Sequence, residues 1–97
     1  MFAAIRQGKI KPGSVEEITK RIKEGALPLL RSIKGFQTYD WVLAEDNSVS
    51  IITMFDSASA AEESQQLLLP WIREHLSPFL ETVPNAMTGR VVLHETA

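Results

Sequence analysis

The sequence contains no cysteine, so disulfide frameworks, thiolate nucleophiles and cysteine-bound metals are excluded, and a reducing cytoplasm is the expected location. It also has little net charge, -2 at neutral pH, with acidic and basic residues interspersed. No basic stripe is offered to a phosphate backbone, and nucleic acid is not an expected partner. Long hydrophobic runs are missing as well. The longest apolar cluster, Leu67-Leu68-Leu69-Pro70-Trp71-Ile72, falls far below the ~20 residues of a membrane helix. The opening Phe2-Ala3-Ala4-Ile5 reads as strand without a basic leader before it, so neither membrane spanning nor export is expected. His75 and His94 lie far apart and no histidine-carboxylate helix motif exists, so no metal is expected. Glycine-rich phosphate loops and Gly-x-Ser-x-Gly elbows are absent, which sets aside nucleotide hydrolysis and ordinary esterase chemistry.

What is present is an ordinary globular composition, 44% hydrophobic and 23% charged over 97 residues. This specifies one domain, residues 1–97, with no linker or low-complexity segment. A monomer of that size buries only about two-thirds of the surface its unfolded chain exposes, so a second copy would add stability.

The pattern is organised around Gly35 to Phe55. Two apolar-alternating runs, Phe36 to Ala44 and Ser48 to Phe55, are joined by Glu45-Asp46-Asn47, the signature of a β-hairpin. Before it, Phe2 to Lys11 reads as a strand stopped by Pro12-Gly13. A helix should follow, with Ser14 and Glu17 forming a capping box and Val15, Ile18, Ile22, Leu29 and Ile33 on one stripe. Pro28 falls inside that run and should bend or restart the helix, at about 3 kcal/mol if nothing compensates. Lys34-Gly35 supplies a stop. After the hairpin, Ser59 and Glu62 repeat the capping signal, and a second helix should be interrupted at Pro70. It would restart through Ile72, Leu76, Phe79 and Leu80 until Val83-Pro84-Asn85. The last strand is expected from Ala86 to Glu95.

The resulting order is β-α-β-β-α-β, an α+β ferredoxin-like fold with a four-stranded antiparallel sheet, both helices broken near prolines. In the first hairpin strand Phe36, Thr38, Asp40 and Val42 oppose Gln37, Tyr39, Trp41 and Leu43, and in the second Val49, Ile51, Thr53 and Phe55 oppose Ser50, Ile52 and Met54. Both sheet faces carry bulky apolar groups. One is expected beneath the helices and the other against a second copy of the chain.

Over nearly its whole length the chain resembles the antibiotic biosynthesis monooxygenase-like family of dimeric α+β barrels. The resemblance rests on Lys11-Pro12-Gly13-Ser14-Val15-Glu16-Glu17, the Gly35-Phe36 start of the hairpin, and Met54-Phe55-Asp56-Ser57 leading into an Ala- and Glu-rich helix. It implies a homodimer packed sheet against sheet and a pocket between each sheet and its helices. It also implies activities ranging from cofactor-free oxygenation of aromatic polyketides or quinols to haem degradation. The haem-degrading pattern fails here: Arg6 stands where that group carries asparagine, Ser64 where it carries tryptophan, and His75 lies only near its histidine.

Five residues are candidates for chemistry. Trp71 and His75 are one helical turn apart and could wall and base a pocket, although a surface histidine beside a half-buried aromatic is the simpler reading of a lone histidine. Tyr39 and Trp41 share a strand face and could bracket a planar ligand, or serve as core aromatics. Arg6 sits mid-strand between Ala4 and Gly8; a buried guanidinium there needs a ligand oxygen or a carboxylate such as Asp40 or Glu95. Arg90 and His94 share a face of the last strand and read as a solvated strand end.

Three functions compete. A cofactor-independent monooxygenase would deprotonate a small aromatic or quinol-type molecule with His75 and hold the anion near Arg6. A non-catalytic dimeric module would bind a small apolar ligand. A lyase or isomerase could use the same scaffold.

Overall fold

The computed structural model describes residues 1–82 and 86–97. Strand β1 (Phe2–Ile10) leads into α1 (Val15–Arg21), a π-helical turn (Ile22–Ala26) and α2 (Leu27–Arg31). The hairpin is β2 (Phe36–Leu43) and β3 (Ser48–Phe55); α3 (Ala58–His75), a 3-10 turn (Ser77–Phe79) and β4 (Leu80–Arg90) complete the chain. All pairings are antiparallel and the sheet order is β2-β3-β1-β4. That is the ferredoxin-like topology expected from the sequence. Ile18, Ile22, Ala26 and Leu30 from the first helical stretch, and Ala61, Leu68, Ile72 and Leu76 from the α3 region, pack with Ala4, Val49 and Phe55 into one core.

Local chemistry sets the joints. Gly13 and Gly35 both have positive φ, 78° and 98°, as strand-to-helix and helix-to-strand turns require. In the hairpin Asn47 adopts φ 68°; its N–H bonds Ala44 O at 3.0 Å and Asp46 Oδ1 accepts the Ser48 N–H at 3.0 Å. Asparagine tolerates this left-handed conformation better than most side chains.

The helices differ from expectation in three ways. Ser14 does not cap α1 with its side chain; its hydroxyl turns back to donate to Lys11 O at 2.6 Å. The cap of α3 is Ser57, whose Oγ accepts the Ala60 N–H at 3.2 Å, so Ser59 lies within the first turn. Finally, α3 is not broken at Pro70, which lies within a continuous helix. Pro70 and Gln66 are both exposed, so the carbonyl that loses its donor faces water, which can replace the missing bond.

Pro28 is accommodated differently. The preceding turn is π-helical, with the Leu27 N–H bonded to Ile22 O, and Pro28 falls in the first turn of α2, where a missing N–H is tolerated. The buried residues Ile18, Ile22, Ala26 and Leu30 step by four, wider than an α-helical repeat, and the wider π-turn keeps them over the sheet. Val15 is exposed and Leu29 half-buried, so the apolar stripe is shifted from the expected one.

Two further boundaries move. The restarted helix expected through Leu80 ends at His75, because Pro78 has no N–H to bond Glu74 O in a continued α-helix, and the chain tightens into the 3-10 turn instead. Consequently β4 starts at Leu80 and stops at Arg90, not Ala86 to Glu95, and His94 lies beyond the strand. The expected breaker Val83-Pro84-Asn85 lies outside the described residues.

In β2 the register shifts between Phe36 and Thr38, a bulge at Gln37. Phe36 therefore turns to the same face as Tyr39, Trp41 and Leu43, not the opposite one, and meets Phe55 with ring centroids 6.2 Å apart. The other face shows Ile5, Ile52 and Met54 half-buried, with Val42 and Met87 exposed.

Candidate ligand cavity between β2 and the first helix

The inward row of β2, Tyr39, Trp41 and Leu43, faces a second helical row, Val15, Thr19, Lys23 and Leu27, also stepping by four. Between them lies a cavity of about 270 Å³, its lining completed by Ile10, Ile18, Ile22 and Val49. The surface is overwhelmingly apolar. Thr19 uses its hydroxyl proton on Val15 O at 2.8 Å, so the charged group at this cavity is Lys23. A ring system of modest size suits such a space, since sites for small molecules are concave, apolar and marked by few polar groups.

Trp41 Nε1 donates to the Tyr39 hydroxyl at 2.7 Å, which fixes both aromatic side chains along one strand edge. Burial pushes the Tyr39 hydroxyl up to about 12, against the lowering effects of the Trp41 bond and the nearby Arg6 charge. The phenol thus keeps its proton at neutral pH and serves as a donor or wall, not a base. Arg6 is only 4% exposed. Its Nη2 donates to Gln65 Oε1 on α3. Burial lowers its pKa while Tyr39 raises it; an arginine nevertheless stays charged in such a setting.

Trp71 and His75 belong elsewhere. Their rings stack at 5.1 Å between centroids with 31° between planes. With Glu17, Lys20, Arg21, Glu24 and Gly25 they line a separate, polar groove of about 350 Å³. Arg21 ties this groove together: it pairs with Glu17 at 3.0 Å, donates to His75 O at 3.0 Å and lies 4.8 Å over the Phe79 ring.

The residues singled out in the sequence therefore divide among three places. Tyr39 and Trp41 share the apolar cavity, Trp71 and His75 share the polar groove, and Arg6 lines neither, being packed beneath α3. Arg6 does not meet Asp40, which points from the opposite sheet face, nor Glu95, exposed in the segment after β4. Thr19, Lys23 and Leu27 line the cavity without having been expected there. Their spacing of four beside the buried row was the available signal; it was obscured because a repeat of four is too wide for a regular helix. Among the described residues no group of three or more histidine or acidic side chains could hold a metal ion, and no helix is long and apolar enough to cross a membrane.

This architecture is shared with several solved structures. A protein of unknown function from Nitrosomonas europaea superposes with a TM-score of 0.76 at 13% identity, covering 99% of this chain and 93% of that one. A Mycobacterium tuberculosis protein gives 0.72 at 14% identity, covering 98% of each chain. Another Nitrosomonas europaea protein, provisionally labelled an antibiotic biosynthesis monooxygenase, gives 0.73 at 12% identity, covering 96% of this chain and 100% of its own. At such identities the likeness is one of fold. No curated protein sequence matches. The family model for antibiotic biosynthesis monooxygenase matches residues 1–68, a span holding β1, the first helical stretch, the whole hairpin and the start of α3, and on that match this chain belongs to the antibiotic biosynthesis monooxygenase family.

Proposed function

We propose that the protein takes a small planar molecule of aromatic or quinol type into the cavity between β2 and the first helix and oxygenates it without flavin or metal. The observation that carries this reading is the cavity itself: about 270 Å³, apolar, and walled by the hydrogen-bonded Tyr39 and Trp41. Such chemistry asks little of the protein, because the electrons come from the substrate. An activated ring methylene, once deprotonated, passes an electron to dioxygen, and recombination at carbon forms a C–O bond and a hydroperoxide. Loss of the remaining C–H proton with cleavage of O–O leaves a ketone at that carbon and releases the second oxygen as water. Lys23 is positioned to hold the anion, the proton leaving to water at the mouth. His75, expected as the base, faces the other groove and has no part in this scheme.

A second reading, binding without turnover, is favoured by the tightly held Tyr39 proton, which supplies no base inside the cavity. Oxygen uptake on a panel of hydroquinones, naphthols and anthrone, with isothermal titration of the same molecules, decides between them. Uptake that is lost in Trp41→Ala and kept in His75→Ala supports oxygenation; saturable binding with no uptake supports the second reading. No binding at all removes both, and conversion under nitrogen would point to a lyase or isomerase.

The same proposal includes a homodimer and a cytoplasmic location. Exposed Val42 and Met87 beside Ile5, Ile52 and Met54 form a greasy sheet face of the kind that a second copy would cover.

A further inference from the structure

The π-turn is a wall with two sides. Ile22 and Lys23 line the apolar cavity, whereas Glu24 and Gly25, in the same turn, line the polar groove with Trp71. Gly25 is where the turn meets α3. A Cβ at Gly25 would lie 2.6 Å from Trp71 Cζ2 and Nε1, where ordinary van der Waals contact starts at 3.4 Å. The indole is therefore seated directly on backbone, with the His75 ring tilted against it at 5.1 Å between centroids. The widened turn is also less regular than α-helix, and Pro28, just beyond it, donates no hydrogen bond back to it.

We propose that the Trp71–Gly25 seat sets the width of the ligand cavity and so the size of ring it accepts. This rests on the cavity reading given above. With glycine at 25 the turn can settle toward Trp71, away from β2, and the cavity keeps its breadth. Any side chain there, pressing on the indole, drives the turn toward Trp41. Trp71 and Gly25 are thus specificity-determining positions that touch no ligand.

The test uses Gly25→Ala, with phenol and 1-naphthol as one-ring and two-ring probes in isothermal titration. The expected result is a loss of about tenfold in 1-naphthol affinity with little change for phenol, the scale on which a pocket rejects a few excess carbons. Adding Trp71→Leu, which removes the obstructing ring, should restore 1-naphthol binding. Equal weakening for both probes, or no rescue by Trp71→Leu, overturns the inference.

An independent readout needs no ligand. The two tryptophans give two indole N–H resonances, and Gly25→Ala should move that of Trp41, across the turn, as well as that of Trp71. A shift confined to Trp71 would mean that the indole swings out and the turn stays, overturning the inference even if the cavity binds both probes. Failure of the wild-type protein to bind either probe would instead overturn the cavity reading, the Trp41 resonance still deciding whether the turn moves. Should Gly25→Ala fold poorly, Trp71→Leu alone serves: it should shift the Trp41 resonance and tighten 1-naphthol binding relative to phenol, and no change in either contradicts the proposal.

Discussion

Tyr39 accepts a hydrogen bond from Trp41 Nε1 at 2.7 Å, and the two residues stand two apart on one strand. Tyr39 is the sole tyrosine, so its titration can be followed without ambiguity by the ultraviolet absorbance of tyrosinate. The expected midpoint is about 12, not about 10 as in a solvated phenol. Between those values the unfolded chain gives up its tyrosine proton while the folded chain keeps it. The part of the stability that depends on a protonated Tyr39 is therefore fully present below about pH 10 and declines as pH rises toward 12. A midpoint near 10 in folded protein would show that Tyr39 is solvated.

Arg6 lowers the Tyr39 pKa through its charge. Arg6→Met keeps much of the side-chain volume and removes that charge, so the tyrosinate midpoint should move further up. An unmoved or lower midpoint would show that the two groups are not coupled.

Gly35 has φ 98°, and the Asp56 carboxylate occupies the space where a Cβ would be. Gly35→Ala should destabilise by about 2 kcal/mol or more, combining left-handed strain with displacement of Asp56. Chemical denaturation gives the value, and a loss below about 0.5 kcal/mol, the range of unremarkable surface changes, would be inconsistent with this geometry.

Ser57 and Ser59 are near neighbours with different work. Ser57→Ala removes the bond to the Ala60 N–H and should cost about 1 kcal/mol. Ser59→Ala, inside the first turn, should fall within about 0.5 kcal/mol of neutral. Reversal of that order would place the start of α3 two residues later.

Met87→Asp and Val42→Asp put charge on the open sheet face. If a second copy covers that face, light scattering should show a dimer in the wild-type protein and a monomer in the double variant. A monomeric wild type at micromolar concentration would contradict the proposed homodimer.

The order of elements was legible because it is written in short-range signals: Pro12-Gly13, Lys34-Gly35 and Glu45-Asp46-Asn47 punctuate runs whose periods differ. The prolines misled in opposite ways. Pro70 breaks nothing because it lies on the wet side of its helix, a fact of tertiary placement that spacing does not carry. Pro28 does perturb its helix, but one turn earlier, as a widened turn instead of a break. The Gln37 bulge was invisible for the same reason; alternation alone assigns Phe36 to the wrong face. Of the expected site, the Tyr39–Trp41 pair was readable from their shared parity on a strand. Trp71 and His75 were rightly paired with each other, yet only the packing of α3 against the first helix shows that they open onto a different space from the one that holds Tyr39.

The stutter at Gln37 has a consequence for how the gene can change. Because the tight turn at Asn47 pins the far end of the hairpin, losing Gln37 would leave Tyr39 and Trp41 in register and, by closing the stutter, would keep Phe36 on the inner side of the sheet opposite Phe55. A single-codon deletion at this solvent-facing glutamine would then spare the contact of Phe36 with Phe55, so the extra residue is one the gene can shed without turning an aromatic ring out of the core.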